Sequence, residues 1–294
     1  MISLIEQDAR PFVEGAGGRE RPGGDPNVAL VTGASSGIGR STAEALARRG
    51  YRVFGTARDP SGVDPPLHAE LLPLDVRRED SIRACVAEVV RRAGRIDVLV
   101  NAAGYVVAGG VEETSLEQAH ALFETNFFGL MAVTAEVLPF MRARGSGAIV
   151  NVSSILGLFS APFLGVYAAT KHAVEAYSEA LHLEAGPLGI RVILLEPGFT
   201  RTRLAASGEL VDRPQADYDG PRRRALEANR AQIDGGVDPE TVAAAAVAAL
   251  EARRHRLRHP AGREARKLAL LRRFAPAGAF ERGVRKQFRL DTAR

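Results

Sequence analysis

The chain has 294 residues, 46% of them apolar and 25% charged, the balance of an ordinary soluble protein long enough for one large α/β domain. Its single cysteine, Cys85, excludes an intramolecular disulfide and suits a reducing compartment. The net charge of +4 hides an asymmetry: from Arg253 to Arg294 there are fourteen Lys and Arg against three Asp and Glu, so the first 252 residues are net acidic at −7.

No uncharged run reaches the ~18–20 apolar residues that span a bilayer. The N-terminal MISLIEQDAR carries acids and no apolar core of signal-peptide length, so the expected location is cytoplasmic. The six histidines show no metal-ligand spacing; His255 and His259 stand four apart among basic residues and read as surface residues.

Residues 1–26 end in GAGGRERPGGDP and read as a flexible leader. VALVT then reads as a buried strand, and Gly37 to Arg49 as a helix stopped by Gly50. Gly33, Gly37 and Gly39 fall at the turn between them. Glycines there allow tight turning and close approach of the backbone to a pyrophosphate at the helix N-terminus.

YRVFGTAR is a second strand. In dinucleotide folds an acid near this strand's end binds the ribose 2′-hydroxyl. Here Thr56 and Ala57 are followed by Arg58, whose guanidinium suits a 2′-phosphate, so NADP is favoured over NAD. The other reading of Arg58 is a solvated arginine beside Asp59, and Asp59 keeps NAD open.

AELLPLDV is a third strand, ending at Asp75 and Val76. SIRACVAEVVRRAG is an amphipathic helix stopped by Gly94, and RIDVLVNAAG a fourth strand entering Asn101, Ala102, Ala103 and Gly104. Helical stretches are expected over 115–126 and 127–143. An asparagine inside a helix needs partners for its amide, so Asn126 either holds a water or plugs the structure. GAIVNVSS is the fifth strand, and a long helix runs from about Phe163 to Leu183. IRVILLEPG is the sixth strand, ending at Pro197 and Gly198. Six alternations of strand and helix give a doubly wound α/β fold on one parallel sheet.

Within that helix, Tyr167 and Lys171 are four residues apart, on one face and one turn apart. A neighbouring ammonium favours the phenolate, so Lys171 is expected to lower the phenol from its usual ~10 toward neutrality. A phenol so tuned exchanges a proton with a substrate oxygen. Ser154, at the end of the fifth strand, could hold that same oxygen.

TGASSGIG, Asp75-Val76, NAAG, TNFFG, IVNVSS, YAATK and EPG, in this order, resemble the short-chain dehydrogenase/reductase family from Asn27 to Gly198. VFGTARDP and the basic tail are more weakly similar to its retinol-type and 17β-hydroxysteroid-type branch and related bacterial oxidoreductases.

The resemblance implies a Rossmann-type catalytic domain of about seven strands over 27–262. It implies a tetrad in which Asn126 holds a relay water, Ser154 polarises a carbonyl, Tyr167 is the acid or base and Lys171 lowers its pKa and binds the nicotinamide ribose. Gly33, Ser35, Ser36, Gly37, Ile38 and Gly39 would cradle the pyrophosphate. Asp75 and Val76 would border the adenine, and Asn101, Ala102 and Gly104 its ribose. Pro197, Gly198, Thr200 and Thr202 would border the nicotinamide amide. The family's asparagine doublet is Asn101-Ala102 here, and Ser36 stands where many NADP-preferring members are basic, which leaves Arg58 to carry that preference. A homo-oligomer paired through the helices near 116–143 and 163–185 is also implied.

The polar stretch 199–237 is expected to be an irregular lid over the substrate. Ile155, Leu156, Phe159, Phe163 and Leu164, near Tyr167 in sequence and mostly apolar, are expected to floor a pocket for an apolar ketone, aldehyde or alcohol. PETVAAAAVAALEARR is a helix, and HRLRHP a seventh, edge strand. Residues 263–294 form a basic amphipathic extension in which Leu268, Leu271 and Phe274 share a face. That stripe reads either as core packing or as contact with an anionic membrane surface. The tail lacks interleaved stacking aromatics, so no nucleic-acid partner is expected. The functional reading is an NADP(H)-dependent oxidoreductase; the alternative is a non-catalytic dinucleotide sensor on the same fold.

Overall fold

A computed structural model describes residues 26–202 and 209–290; the leader up to residue 25 and the last four residues lie outside the described residues. The nine strands among the described residues are β1 (Val28–Val31), β2 (Arg52–Ala57), β3 (Ala69–Pro73), β4 (Val98–Asn101), β5 (Val107–Ala108), β6 (Gly147–Val152), β7 (Ile190–Pro197), β8 (Glu209–Leu210) and β9 (Arg258–Ala261). The helices are α1 (Gly37–Arg48), α2 (Glu79–Ala93), α3 (Leu116–Phe123), α4 (Gly129–Arg144), α5 (Gly165–Ala185), α6 (Asp219–Asp234), α7 (Pro239–Glu251), α8 (Arg263–Phe274) and α9 (Ala277–Gln287). Seven strands form one parallel sheet in the order β3-β2-β1-β4-β6-β7-β9, and β5 pairs with β8 apart from it.

Side chains alternate across each strand, and both faces are covered. Val28 and Leu30 point to the layer of α2, α4 and α5, where Val86, Val137 and Leu181 meet them. Ala29 and Val31 point to the other layer, against Ala43 and Leu46 of α1 and Val242 and Ala246 of α7. The edge strand read from HRLRHP pairs in register with β7. The chain steps from β1 outward to β2 and β3, then returns to β4 on the other side of β1. That reversal opens a crevice at the strands' C-terminal ends, where open α/β sheets take their ligands.

Helices α3 and α4 join through a π-helical turn, Glu124–Phe128. The continuous helix Leu116–Arg144 has a mean hydropathy of 1.3 in its most apolar window, long and apolar enough to cross a membrane. Val133, Val137 and Met141 of that helix are fully buried against the sheet, so its apolarity is that of a core helix.

One stretch departs from the sequence reading. The region 199–237 is not irregular throughout: it carries β8 and the 16-residue α6. Helix α6 buries only Ala225 and Ala228, which leaves little apolar periodicity to read. The basic extension, for which the sequence leaves core packing or membrane contact open, packs its inner side on the domain. Helices α8 and α9 pack back onto the domain, with Phe288 buried beyond them.

Glu196 of β7 is fully buried beside Glu175 of α5, and the two share Arg258 of β9, whose Nε lies 3.1 Å from Glu175 and 3.4 Å from Glu196. Burial, then the neighbouring Glu175, push the Glu196 carboxyl up to about 8, with Arg258 opposing. A carboxyl whose folded pKa is raised contributes stability below its unfolded pKa and loses it as pH rises through the folded value. Thermal stability is therefore expected to fall between about pH 5 and pH 8, and Glu196→Gln to flatten that decline. Melting curves across this range check it; an equally steep decline in the variant contradicts it.

Candidate active site

Gly33 and Gly37 at the β1–α1 turn have φ of +66° and +55°, the left-handed region that favours glycine. A Cβ on Gly33 would stand 2.8 Å from the Ala103 Cα, and one on Gly39 would stand 2.3 Å from the Gly33 carbonyl oxygen. Ser36 caps α1 in extended conformation without a side-chain hydrogen bond to the helix amides. The helix therefore presents backbone N–H groups to the crevice, lined by backbone rather than side chains. Ser35 and Ile38 flank these glycines in the same turn.

Across the crevice, Thr32 Oγ1 accepts hydrogen bonds from the amides of Ala102 and Ala103 at 3.0 and 3.1 Å and so ties the turn after β4 to β1. Thr202 reaches the glycine turn from beyond β7, its Cγ2 3.3 Å from where a Cβ on Gly37 would sit. Thr200 pairs with Val237, and its hydroxyl donates to the carbonyl of Gly198, directly after Pro197. The cofactor-binding positions read from the sequence thus gather at the strands' C-terminal ends, with two qualifications.

The first concerns Asn101. Its side chain turns into the core, where its amide donates to Thr134 and Asn151 at 2.9 Å each. Asn151 in turn donates to Ser178, so a buried polar ladder links β4, β6, α4 and α5. Only Asn101's backbone is left toward the crevice, because the strand's alternation sends its side chain inward. The second concerns Asp75, whose carboxylate accepts two hydrogen bonds from Arg77 at 3.0 and 2.7 Å. The Arg77 bond, opposed by burial, holds Asp75 below the usual carboxylate range. Val76 packs over the start of α4, where Gly129 leaves room for it.

Arg58 stands exposed at the end of β2. Asp59 does not pair with it: that carboxylate accepts from the amide and hydroxyl of Ser61 at 2.9 and 2.6 Å. Among the described residues Arg58 makes no salt bridge within 4.0 Å, although its charge reaches Asp75 and helps to hold that carboxylate down.

The polar heart of the crevice is built on α5. Tyr167 and Lys171 are buried on one face, with the ammonium 5.8 Å from the ring centroid. Ser154 follows β6, its Oγ accepting from the Leu156 amide at 3.1 Å and lying beside the Tyr167 hydroxyl. Asn126 lies in the π-helical turn and clamps Tyr105: its Oδ1 accepts from the Tyr105 amide and its Nδ2 donates to the Tyr105 carbonyl and to Thr170. The side chain anchors the segment after Gly104 to α5.

The expected lowering of the tyrosine is not what this geometry gives. Burial pushes the Tyr167 phenol up to about 12, with the Ser154 hydroxyl opposing. Burial pushes Lys171 down to about 8, with Glu175 one turn further along α5 opposing. The Lys171 ammonium donates to the Val152 carbonyl at 2.9 Å rather than to the phenol. Two adjacent buried groups each resist ionisation, and the i to i+4 spacing alone does not decide which effect wins.

Ile155, Leu156, Phe159 and Leu164 are buried around Tyr167, with Phe163 half-buried beside them. Phe163 sits at φ +59°, unusual for a bulky residue, and its carbonyl accepts from the Gly109 amide. The other walls were not legible in the sequence. Phe280 of α9 meets Phe159 edge-on at 5.0 Å, Arg272 of α8 donates to the Leu158 carbonyl, and Val211 and Ala225 close the lid side.

The lid is pinned. Glu113, wholly buried, accepts from the amides of Gly110 and Gln215 and pairs with Arg222 of α6. Burial pushes its carboxyl up, but those bonds overcome this and hold it below its ordinary value.

These features decide the family. The chain belongs to the short-chain dehydrogenases. The family model described as short chain dehydrogenase matches residues 27–210. A 3-ketodihydrosphingosine reductase of Bacteroides thetaiotaomicron is 38% identical over 223 residues, 75% of this chain and 82% of that protein. A solved short-chain dehydrogenase from Streptomyces avermitilis is 38% identical, covering 89% of this chain and 98% of its own, with a TM-score of 0.76. An alcohol dehydrogenase from Thermococcus sibiricus, complexed with 5-hydroxy-NADP, is 27% identical with a TM-score of 0.64, covering 79% of this chain and 94% of its own. A short-chain dehydrogenase/reductase from Burkholderia phymatum, complexed with NAD, is 26% identical with a TM-score of 0.68, covering 80% and 89%. The protein is thus a dehydrogenase/reductase acting on the CH–OH/C=O couple with an NAD(P)-binding Rossmann fold.

Removing one member of a buried ion pair costs roughly 3–5 kcal/mol because the other charge is stranded. Glu113→Ala is expected to destabilise the protein on that scale and to speed limited proteolysis within 209–237. An unchanged cleavage rate there contradicts the pinned lid.

Proposed function

We propose that this short-chain dehydrogenase uses NADP(H) to interconvert an apolar ketone or aldehyde with its alcohol, with Tyr167 as acid and base. The observation that carries the reading is the convergence of Ser154 and Tyr167 hydroxyls over an apolar floor, with Lys171 buried one turn away.

The residues present fit a dinucleotide. The bare glycine turn would take the pyrophosphate, Lys171 the nicotinamide ribose, and Arg58 a 2′-phosphate. The unpaired state of Arg58 and the turning away of Asp59 favour NADP over NAD. When bound, the dinucleotide supplies or accepts the hydride.

The protein's part is at the oxygen. Ser154 and Tyr167 hydrogen-bond the carbonyl oxygen and polarise it. As negative charge develops there, Tyr167 yields its proton to that oxygen. Lys171, still an ammonium at neutral pH with its pKa at about 8, stabilises the phenolate left behind. The apolar walls exclude water and select an apolar substituent on the carbonyl. A relative named as a ketone reductase supports the carbonyl class. Phe128 and Met131 of the α3–α4 helix are partly exposed, which supports pairing of that helix in a homo-oligomer.

Tyr167→Phe is expected to lower NADPH consumption with apolar ketones by at least about a hundredfold while leaving NADPH binding within about threefold. Retained turnover contradicts the assignment. In fluorescence titrations NADPH is expected to bind more tightly than NADH, and Arg58→Ala to remove that preference; an NADH preference unaltered by the substitution contradicts the reading of Arg58.

A further inference from the structure

The segment 263–290, which holds α8 and α9, carries nine basic residues against two acidic ones. The inner side of this hairpin is accounted for. Leu268, Ala269, Phe280 and Val284 pack on the cluster around Tyr167, and the Arg272 guanidinium lies over the Phe280 ring at 5.6 Å.

The outer side is not. Leu270, Leu271 and Phe274 are 59%, 42% and 72% exposed, an apolar patch at positions i, i+1 and i+4. At 100° per residue Arg263, Arg266 and Lys267 share that face, and all three are exposed. The Arg273 guanidinium lies over the Phe274 ring at 5.2 Å. Exposed leucine and phenylalanine flanked mainly by cations, with Glu264 the one acid on this face, is the pattern of a helix lying in a membrane interface, apolar groups inserted and cations at the headgroups.

We infer that the outer face of α8 docks on an anionic lipid surface. The charge pattern selects this occupant. A second copy of the same face would set two strongly basic surfaces against each other. A nucleic acid would bury Leu270 and Leu271 against phosphates, with Phe274 the lone aromatic for stacking. One side of the hairpin rests on the lipid surface while the other packs on the cluster around Tyr167.

The test is co-sedimentation of the full chain with vesicles of phosphatidylcholine alone or with a third of phosphatidylglycerol. It compares wild type with a Leu270→Glu, Phe274→Glu double variant, whose exposed positions spare the core. Wild type is expected to partition at least tenfold more strongly onto the anionic vesicles, less so at high salt. The double variant should lose at least tenfold of that while keeping wild-type NADPH binding in solution. Because the readout is binding, it stands or falls separately from the proposed reaction. Absence of wild-type binding, equal binding to both vesicles, or undiminished binding by the double variant overturns the inference. So does a self-association of wild type that the double variant abolishes.

Discussion

The burial of Lys171 against the end of β6 is the interaction on which the rest of the site depends. Its ammonium donates to the Val152 carbonyl, fixing α5 to the strand two residues before Ser154. Tyr167, one turn earlier, is thereby brought to the Ser154 hydroxyl. The approach needs Gly157: a Cβ there would stand 2.8 Å from Ser153 Oγ, 2.9 Å from Glu175 Cγ and 3.1 Å from the Lys171 carbonyl. A larger residue would lift the Ile155–Gly157 turn off α5 and part the serine from the tyrosine. The same burial sets the chemistry. Tyr167 stays protonated and Lys171 sits near 8, so a neutral acid lies beside a charge that can stabilise its conjugate base.

Under the proposed function, substrate selection would rest on elements outside this polar heart. The lid is held by the buried Glu113–Arg222 pair and by the β5–β8 bridge, and the C-terminal hairpin closes the far wall through Phe280. The basic tail is therefore part of the active-site enclosure as well as a charged surface. A change in α9 should alter which apolar groups fit without touching the groups that move the proton.

Much of this was legible in the sequence. β-branched runs such as VALV and AIVNV placed the strands, and the Tyr167–Lys171 spacing placed both on one helical face. What was not legible has physical reasons. Helix α6 buries two alanines on a polar surface, so its periodicity is faint. Helix α9 contains Gly278 and Gly283, poor helix formers held by tertiary packing. The Asn101 side chain points into a ladder with Asn151 and Ser178, a direction fixed by strand register and invisible in the motif itself. The tyrosine's direction of shift reflects burial opposed by the Ser154 hydroxyl, and the spacing to Lys171 reports neither.

The central claim is that Tyr167 is a protonated acid held by burial, with its ionisation awaiting the bound dinucleotide. Ultraviolet difference titration of phenol ionisation, wild type minus Tyr167→Phe, measures it directly. The account predicts no Tyr167 ionisation through about pH 10 in the free protein, and a downward shift of its pKa when NADP⁺ is bound. A Tyr167 that ionises near neutrality in the free protein, or whose pKa does not move with NADP⁺, would contradict it.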